Sequence, residues 1–226
     1  MPVYNEQVTV REIIQRVLAL KLDLELIIID DCSTDGTREI LNTLDETAAD
    51  SRIKILYHAQ NQGKGAAIRT GIQNVNGDVT VIQDADLEYD PMDLPDMLQP
   101  ILDGKADAVY GSRLIGKGPH RVLFFWHMLG NKLLTLLSNI FTNLNLTDME
   151  SCYKMVRTDL LKQIKIEQNR FGFEPEITAK LAKIKGIRLY EIGISYFGRS
   201  YEEGKKITWK DGCQAIWCIL KYWIVR

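Results

Sequence analysis

The sequence predicts an α/β protein in which a mostly parallel central sheet is flanked by helices. Through the first half of the chain, short apolar runs of strand character alternate with amphipathic helical stretches, and nearly continuous hydrophobic strands are typical of parallel sheets buried on both faces. The predicted strands span residues 24–30, 53–57, 79–83 and 106–110. The predicted helices span residues 8–20, 37–47, 65–75 and 92–102.

The second half of the chain has a different pattern. From about residue 114 a long apolar and aromatic tract at 120–141 is followed by a mixed region, a strand at 187–196 and an amphipathic helix from Trp209. We therefore divide the chain into the halves 1–113 and 114–226 of one continuous domain.

Composition fits one globular domain and excludes several classes of partner. The chain has 226 residues, 46% of them hydrophobic and 26% charged, with a formal net charge of -2, so it shows no nucleic-acid footprint. The four cysteines lack Cys-x-x-Cys spacing, which argues against zinc or a disulfide framework and for reduced, cytoplasmic thiols. No signal peptide and no apolar run of about 20 residues is present, which predicts a soluble or peripheral protein.

Three acidic residues, Asp84, Asp86 and Glu88, follow the apolar run at 79–82. Carboxylates at the end of a buried strand are costly unless a positive group meets them. Mg²⁺ and Mn²⁺ prefer oxygen ligands and keep positions open for substrate phosphates, so the spacing predicts a metal–phosphate site. A turn or a helix N-cap uses the same residue types and is the alternative.

Other polar residues follow neighbouring strands. Asp31 ends one strand and Arg113 follows another, and ligands of open parallel sheets bind beyond the carboxyl ends of the strands. Asp31 is a candidate for hydrogen bonding to a nucleotide base or ribose. Lys64 lies in a glycine-bearing turn without Walker spacing, where it either contacts a nucleotide or only solvates the turn.

Five blocks taken in order, at residues 2–6, 29–37, 61–65, 84–86 and 111–113, resemble those of family 2 glycosyltransferases of GT-A fold. Within that family the chain is most similar to the branch of dolichol-phosphate mannosyltransferases and bacterial polyprenyl-phosphate sugar transferases. The resemblance implies an inverting, Mg²⁺- or Mn²⁺-dependent transfer of a hexose from a GDP-mannose or UDP-glucose type of donor to a lipid phosphate. It also implies a nucleotide-sugar-binding half at 1–113 and an acceptor-binding half at 114–226.

The resemblance further implies roles for individual residues. The residues implied for the nucleotide-sugar pocket are Pro2, Tyr4, Glu6, Asp31 and Asp84, beside which Lys64 is a candidate. Asp84 and Asp86 are implied as metal ligands, and Glu88 as a further member of the metal shell. Arg113 and Arg121 are implied to meet the acceptor phosphate, and Arg199 to close over the donor diphosphate, with Lys205 as a further cation.

A catalytic base is the least determined element. Asp148 matches the family position near the acceptor, although a loop acid or helix cap explains it equally well. Glu174 and Glu176 are further candidates, and Glu176 also suits a helix N-terminus without any catalysis. A lipid phosphate is already anionic and needs a base less than a hydroxyl does. The rivals are therefore a transferase that acts on a saccharide hydroxyl through Asp148, and a non-catalytic membrane-associated binding module.

Two segments bear on location and stability. The tract at 120–141 is either a buried core helix or an interfacial helix that presents a lipid phosphate at the cytoplasmic face of the membrane. The helix from Trp209 packs on the sheet, touches the membrane or forms a homo-oligomer surface. The family pattern has a full apolar strand before residues 2–6, whereas this sequence starts at Met1, which predicts lost strand hydrogen bonds there.

Overall fold

The structure is a computed structural model that describes residues 1–46, 50–116, 121–122, 124–200, 202 and 209–224. The strands are β1 (Pro2–Val3), β2 (Leu26–Asp30), β3 (Ile53–Tyr57), β4 (Val79–Val81), β5 (Ala108–Ser112), β6 (Lys154–Arg157) and β7 (Leu189–Gly193). The α-helices are α1 (Val10–Leu18), α2 (Thr37–Glu46), α3 (Lys64–Ile72), α4 (Leu94–Leu102), α5 (Phe125–Thr142), α6 (Thr158–Leu161), α7 (Phe173–Ala182) and α8 (Trp209–Ile224). A 3₁₀ turn at Pro91–Asp93 precedes α4.

The strands form two sheets, and the predicted α/β class with mostly parallel pairing is confirmed. The first sheet has the order β1-β2-β3 and is parallel throughout. The second has the order β4-β6-β5-β7, in which β5 and β7 are parallel. Strand β6 runs antiparallel to both β4 and β5 and was not predicted from the sequence. The second sheet thus joins strands from both halves of the chain.

Strand β1 occupies the position where the sequence predicts lost strand hydrogen bonds. It is two residues long, and Pro2 lies opposite Ile29. The backbone nitrogen of Ile29 donates to the oxygen of Met1 at 2.9 Å, and that of Asp31 donates to the oxygen of Val3 at 2.8 Å. This pairing places the segment after Val3 beside the loop that follows β2.

Helix α1 shows how the apolar pattern builds the core of the first sheet. Its residues Val10, Ile13, Ile14 and Val17 recur every three or four positions and are all buried. Every residue of β2 is buried as well, which explains its uniform hydrophobicity. A second core surrounds β5 and β6 and includes the fully buried Tyr110, Tyr153, Met97, Phe173 and Ile177. With their cores filled, the sheets present polar side chains in the loops at the strand ends.

Helices α5 and α8 pack against each other and leave apolar side chains in solvent. The rings of Phe141 and Trp223 are 4.8 Å apart. Exposed apolar residues on α5 include Phe125, Trp126, Leu129, Leu133, Leu136 and Ile140. Exposed apolar residues on α8 include Ile216, Trp217, Leu220, Trp223 and Ile224. Helix α5 is therefore not a buried core helix.

The other predicted boundaries agree with the structure to within a few residues. Some positions of the predicted elements lie outside the described residues. They are Thr47, where the second helix was predicted to end, residues 117–120 and 123 before α5, and the two residues after Ile224. Within the described part of the chain, no helix is both long and apolar enough to cross a bilayer.

Candidate active site

The loop after β4 concentrates negative charge at the end of a strand. Asp84, Asp86 and Glu88 lie on it, and the Asp84 Oδ2 atom accepts a hydrogen bond from Lys64 Nζ at 2.9 Å. Burial, together with the charges of Asp84 and Glu88, raises the pKa of Asp86 to about 7. Clustered carboxylates whose ionisation is opposed in this way would be relieved by a bound cation.

The oxygen donors of this loop fit a divalent cation that completes its shell with substrate. Among the described residues, no three His, Cys, Asp or Glu side chains converge into a preformed metal site. Mg²⁺ commonly takes only one or two carboxylates and finds its other ligands in phosphates and water. Asp84 and Asp86 match that requirement.

Glu88 links the acidic loop to the segment after β7. Its Oε2 atom accepts a hydrogen bond from the Tyr196 hydroxyl at 2.9 Å, and its Oε1 atom accepts one from the backbone nitrogen of Arg199 at 2.7 Å. Each carboxylate oxygen has a second lone pair, so these bonds leave Glu88 able to join a metal shell. Glu88 therefore ties the position of Arg199 to the acidic loop.

Arg199 connects the acidic loop to the amino-terminal segment. Its Nη2 atom contacts Glu6 Oε2 at 2.9 Å and also donates to the backbone oxygen of Asp86. The backbone nitrogen of Glu6 donates to Thr37 Oγ1 at 2.9 Å, which fixes Glu6 at the start of α2. Arg199 is thus held between the acidic loop and the amino-terminal segment. Lys205, the further cation predicted from the sequence, lies outside the described residues.

The remaining amino-terminal residues lie beside the loop after β2. Pro2 is half-buried within β1, whereas Tyr4 is exposed. The loop itself is joined to this segment through Asn5, whose side-chain oxygen accepts from the Thr34 nitrogen at 2.8 Å. These contacts keep Tyr4 and Glu6 next to the carboxyl end of β2.

Asp31 holds the glycine-bearing turn rather than standing free. Its carboxylate accepts from the backbone nitrogens of Gln62 and Gly63 at 2.9 and 2.7 Å, and lies 2.7 Å from His58 Nδ1. Gly63 has a φ of +96°, and a Cβ there would lie 2.4 Å from the oxygen of Asn169. The buried Asp31 therefore fixes the turn that carries Lys64 at the start of α3.

A chain of alternating charges runs inward from the acidic loop. Lys64 Nζ lies 2.9 Å from Asp84 Oδ2 and 3.4 Å from Glu174 Oε1. The other Glu174 oxygen lies 2.6 Å from the buried Lys154 Nζ. Burial opposes the charge on Lys64, yet the carboxylates of Asp84 and Glu174 hold its pKa well above the usual value. Glu174 thereby places a fixed positive charge beside Asp84.

Arg113 and Asp148 form a buried two-point ion pair. Arg113 Nε and Nη2 each lie 2.7 Å from one oxygen of Asp148, and the backbone nitrogen of Arg113 donates to the same carboxylate at 3.0 Å. Burial raises the pKa of Asp148, but the charge and hydrogen bonds of Arg113 outweigh it and lower the pKa below its usual value. An acid held ionised in this way is a poor proton acceptor.

The other predicted positions divide between the site and the scaffold. Arg121 donates through Nη1 to the backbone oxygen of Gly198 at 3.0 Å, next to Arg199. Glu176 is fully buried and accepts from the nitrogens of Glu167 and Gln168, both at 2.8 Å. Glu176 therefore stabilises the backbone at Glu167 and Gln168, which agrees with the non-catalytic interpretation of this residue from the sequence.

Several residues of the site had not been identified from the sequence. These residues are His58, Lys154, Glu191 and Tyr196. Glu191 accepts from the backbone nitrogens of Thr147 and Asp148 at about 3 Å, and so fixes the loop that carries Asp148. Lys154 lies close to Asp148 in the sequence, which was the one available signal. The others have partners too distant in sequence to be read from spacing.

The amino-acid sequence matches a known family of sugar transferases. The profile of the family described as "Glycosyl transferase family 2" matches residues 1–165, and the chain belongs to this family. It is a glycosyltransferase, which excludes the non-catalytic binding module among the rivals considered above.

Two similar proteins have names that refer to a lipid phosphate. The chain is 30% identical over 218 residues to undecaprenyl-phosphate mannosyltransferase of Micrococcus luteus, covering 91% of this chain and 85% of that protein. It is 27% identical over 212 residues to dolichol-phosphate mannosyltransferase of Pyrococcus furiosus, covering 92% of this chain and 59% of that protein. The resemblance to the polyprenyl-phosphate branch of the family is thereby confirmed.

Solved structures confirm the GT-A fold. Glucosyl-3-phosphoglycerate synthase from Mycobacterium tuberculosis, in complex with Mn²⁺, UDP and phosphoglyceric acid, superposes with a TM-score of 0.73 at 19% identity, covering 100% of this chain and 77% of that chain. The same enzyme in complex with Mn²⁺ and UDP-glucose gives a TM-score of 0.74. At this identity the likeness establishes the fold alone.

Proposed function

We propose that this protein is an inverting, metal-dependent glycosyltransferase that moves a hexose from a nucleotide-diphosphate sugar to a polyprenyl phosphate. The observation that favours a phosphate acceptor is the commitment of Asp148 to Arg113, through two side-chain contacts of 2.7 Å each. A hydroxyl acceptor needs a base to remove its proton, whereas a lipid phosphate attacks through an oxygen that is already anionic. Asp148 then acts as a positioning residue that aims the guanidinium of Arg113.

The donor end of the site is assigned to the acidic loop and the amino-terminal segment. We place Asp84 and Asp86 on a divalent cation, with Glu88 beside them, and the nucleotide among Pro2, Tyr4 and Glu6. When bound, the cation neutralises charge on the nucleoside diphosphate that departs. Arg199 is held at the same loop through Glu6 and the oxygen of Asp86, where its positive charge favours the developing charge of the leaving group. Asp31 supports this end by holding the turn of Lys64.

The acceptor end is assigned to two arginines. Arg113 lies at the carboxyl end of β5 and also stacks on Tyr196, with its guanidinium carbon 5.2 Å from the ring centre. Arg121 is bonded to Gly198 near Arg199, so the segment at 196–199 lies between donor and acceptor groups. Phosphate held by Arg113 and Arg121 would present one oxygen to the anomeric carbon from the side opposite the leaving diphosphate. A single displacement of that kind inverts the configuration.

A lipid acceptor gives the exposed side chains of α5 and α8 a role. On α5, Trp126, Leu129, Leu133, Leu136 and Ile140 are spaced by three or four residues and so share one side of the helix. We propose that this side, with the exposed apolar residues of α8, rests on the cytoplasmic surface of a membrane. Self-association through the same helices is the competing use of this surface.

Release of nucleoside diphosphate tests the proposal. The purified chain is incubated with UDP-glucose or GDP-mannose, with and without Mn²⁺, and with polyprenyl phosphate in detergent. We expect release with one donor to require both the metal and the lipid phosphate. Release that depends on an added saccharide and ignores the lipid phosphate would favour the hydroxyl-acceptor alternative instead.

A further inference from the structure

The loop that joins Asp148 to β6 is anchored on both sides of Glu150. The buried Lys154 side chain donates to the backbone oxygens of Met149, at 3.0 Å, and of Ser151. The nitrogen of Met149 donates to Thr135 Oγ1 and the nitrogen of Cys152 donates to the Tyr89 hydroxyl, both at 3.1 Å. The backbone that presents Glu150 is therefore fixed, as expected of a residue that must meet a ligand in one geometry.

The side chain at the centre of this anchored loop is not satisfied. Glu150 Oε1 is buried and has no hydrogen-bond partner among the described residues, and the same holds for Ser151 Oγ. Buried polar atoms nearly always have partners, because an unpaired one forfeits its hydration. Glu150 as a whole is only partly buried, so part of its side chain remains in contact with solvent. Two adjacent unpaired oxygens in one anchored loop are acceptors that a polar ligand could satisfy.

The charges around Glu150 define the ligand chemistry. The groups that act on it are Glu174, Lys154, Arg113 and Asp148, and both cations already bind another carboxylate. Burial and the Glu174 charge raise the pKa of Glu150 to about 7, so it is not held ionised by a salt bridge. Such a carboxyl repels a phosphate when it is charged. A neutral group that donates a hydrogen bond, such as a sugar hydroxyl, suits it well.

Glu150 interacts electrostatically with charged groups that belong to both ends of the site. On one side, Glu174 connects through Lys64 to Asp84 at the donor end. On the other side, the Arg113–Asp148 pair lies at the acceptor end. The group that lies between the diphosphate and the acceptor phosphate during transfer is the hexose. This placement rests on the function proposed above.

We propose that Glu150 is a sugar-recognition residue that accepts a hydrogen bond from a hydroxyl of the donor hexose. Ser151 Oγ, the neighbouring unpaired oxygen, is a second candidate for a contact with the sugar. Neither residue touches the nucleotide in this proposal, so their contribution belongs to the sugar alone.

Calorimetric binding with two kinds of ligand tests this inference. Wild type, Glu150→Ala and Glu150→Gln are titrated with UDP-glucose and GDP-mannose, and with UDP and GDP, all with Mn²⁺. We expect Glu150→Ala to keep the nucleoside diphosphate affinity of wild type within about twofold and to weaken binding of the preferred sugar nucleotide about tenfold, as for the loss of one hydrogen bond to the sugar. Glu150→Gln keeps an accepting oxygen, so its affinity for the sugar nucleotide should lie between those of wild type and Glu150→Ala.

The outcomes separate this inference from the function on which it rests. The matched control is Glu12→Ala on α1, an exposed glutamate paired with Arg16, which should bind all ligands as wild type does. Equal weakening of nucleoside diphosphates and sugar nucleotides by Glu150→Ala would show a structural role and overturn the inference. An unchanged affinity for both would also overturn it and leave the proposed function standing. Failure of wild type to bind any of the four ligands would overturn both.

Discussion

Arg113 Nε and Nη2 lie 2.7 Å from the two carboxylate oxygens of Asp148, and the Asp148 side chain is fully buried. The pair joins the carboxyl end of β5 to the loop before β6, and each partner satisfies the other. The Asp148 carboxylate, a candidate for a catalytic base, is thereby paired with the Arg113 guanidinium and fixes its orientation. Under the proposed function, this relationship favours a phosphate acceptor over a hydroxyl acceptor, which would need a free base.

Breaking this pair should destabilise the protein. Asp148→Ala leaves the Arg113 guanidinium buried without its counter-ion, which typically costs about 3–5 kcal/mol of unfolding free energy. The double variant Arg113→Met with Asp148→Leu should recover much of that loss, because a buried ion pair is often replaceable by apolar groups. Urea unfolding measures both effects. If Asp148→Ala were as stable as wild type, the pair would not be buried as described. Transfer activity should be lost in both the single and the double variant.

Removing Asp86 should abolish the effect of metal on nucleotide binding. In wild type, Mn²⁺ together with the preferred nucleoside diphosphate should raise the melting temperature, because ligands that bind the folded state stabilise it by mass action. Asp86→Ala loses a carboxylate of the acidic loop, so this rise should disappear. Asp159→Ala, which removes an exposed acid paired with Arg157, is the control and should respond as wild type does. A metal-dependent rise that persists in Asp86→Ala would contradict the assignment of the metal ligands.

The raised pKa of Glu150 predicts how stability depends on pH. Its folded-state pKa is about 7 against a usual value of 4.5, so between these values the folded state binds more proton than the unfolded state. The contribution of Glu150 to stability is therefore full below pH 4.5 and is lost as the pH rises to about 7, by up to roughly 3 kcal/mol.

Glu150→Gln cannot titrate and should remove this loss. Unfolding free energies measured at pH 5 and pH 8 should show the variant gaining on wild type at the higher pH. An identical difference between the two proteins at both pH values would mean that Glu150 is not buried in the folded state.

The exposed aromatic side chains of α5 and α8 should mediate membrane contact. Trp126 is 75% exposed and Trp217 is 54% exposed, and Trp side chains favour the interface between lipid and water. The double variant Trp126→Glu with Trp217→Glu should sediment with anionic vesicles several-fold less than wild type does. Met92→Glu, at an exposed apolar residue outside both helices, is the control. Unchanged vesicle binding, or a change in oligomeric state instead, would favour self-association through these helices.

Sequence patterns predicted the local elements of the fold well. Strand β3 has the predicted bounds, and β2 and β4 begin or end within two residues of them, because their apolar runs end at polar turns. Strand β6 was missed because it has four residues and gains its stability from pairing with β4 and β5, which are far away in the sequence. Pairing of this kind leaves no periodic signal.

The sequence identified the acids of the site but not their partners. The contact of Asp31 with a nucleotide stays a prediction, and the sequence did not reveal that its carboxylate also lies beside His58 and accepts from the backbone nitrogen of Gln62, 27 and 31 residues away. Asp148 was the first candidate for a base, and its partner Arg113 lies 35 residues before it. Whether an acid is free or committed depends on such contacts. Residue spacing alone therefore predicted which residues gather at the strand ends, but not which contacts each of them makes.

The most direct test of the central claim is a competition between two acceptors in one reaction. The chain is incubated with its preferred sugar nucleotide, Mn²⁺, and equal amounts of a polyprenyl phosphate and the matching polyprenol, and the lipids are examined by mass spectrometry. We predict that the hexose appears on the polyprenyl phosphate alone. Hexose attached to the polyprenol, with the polyprenyl phosphate unmodified, would contradict the account.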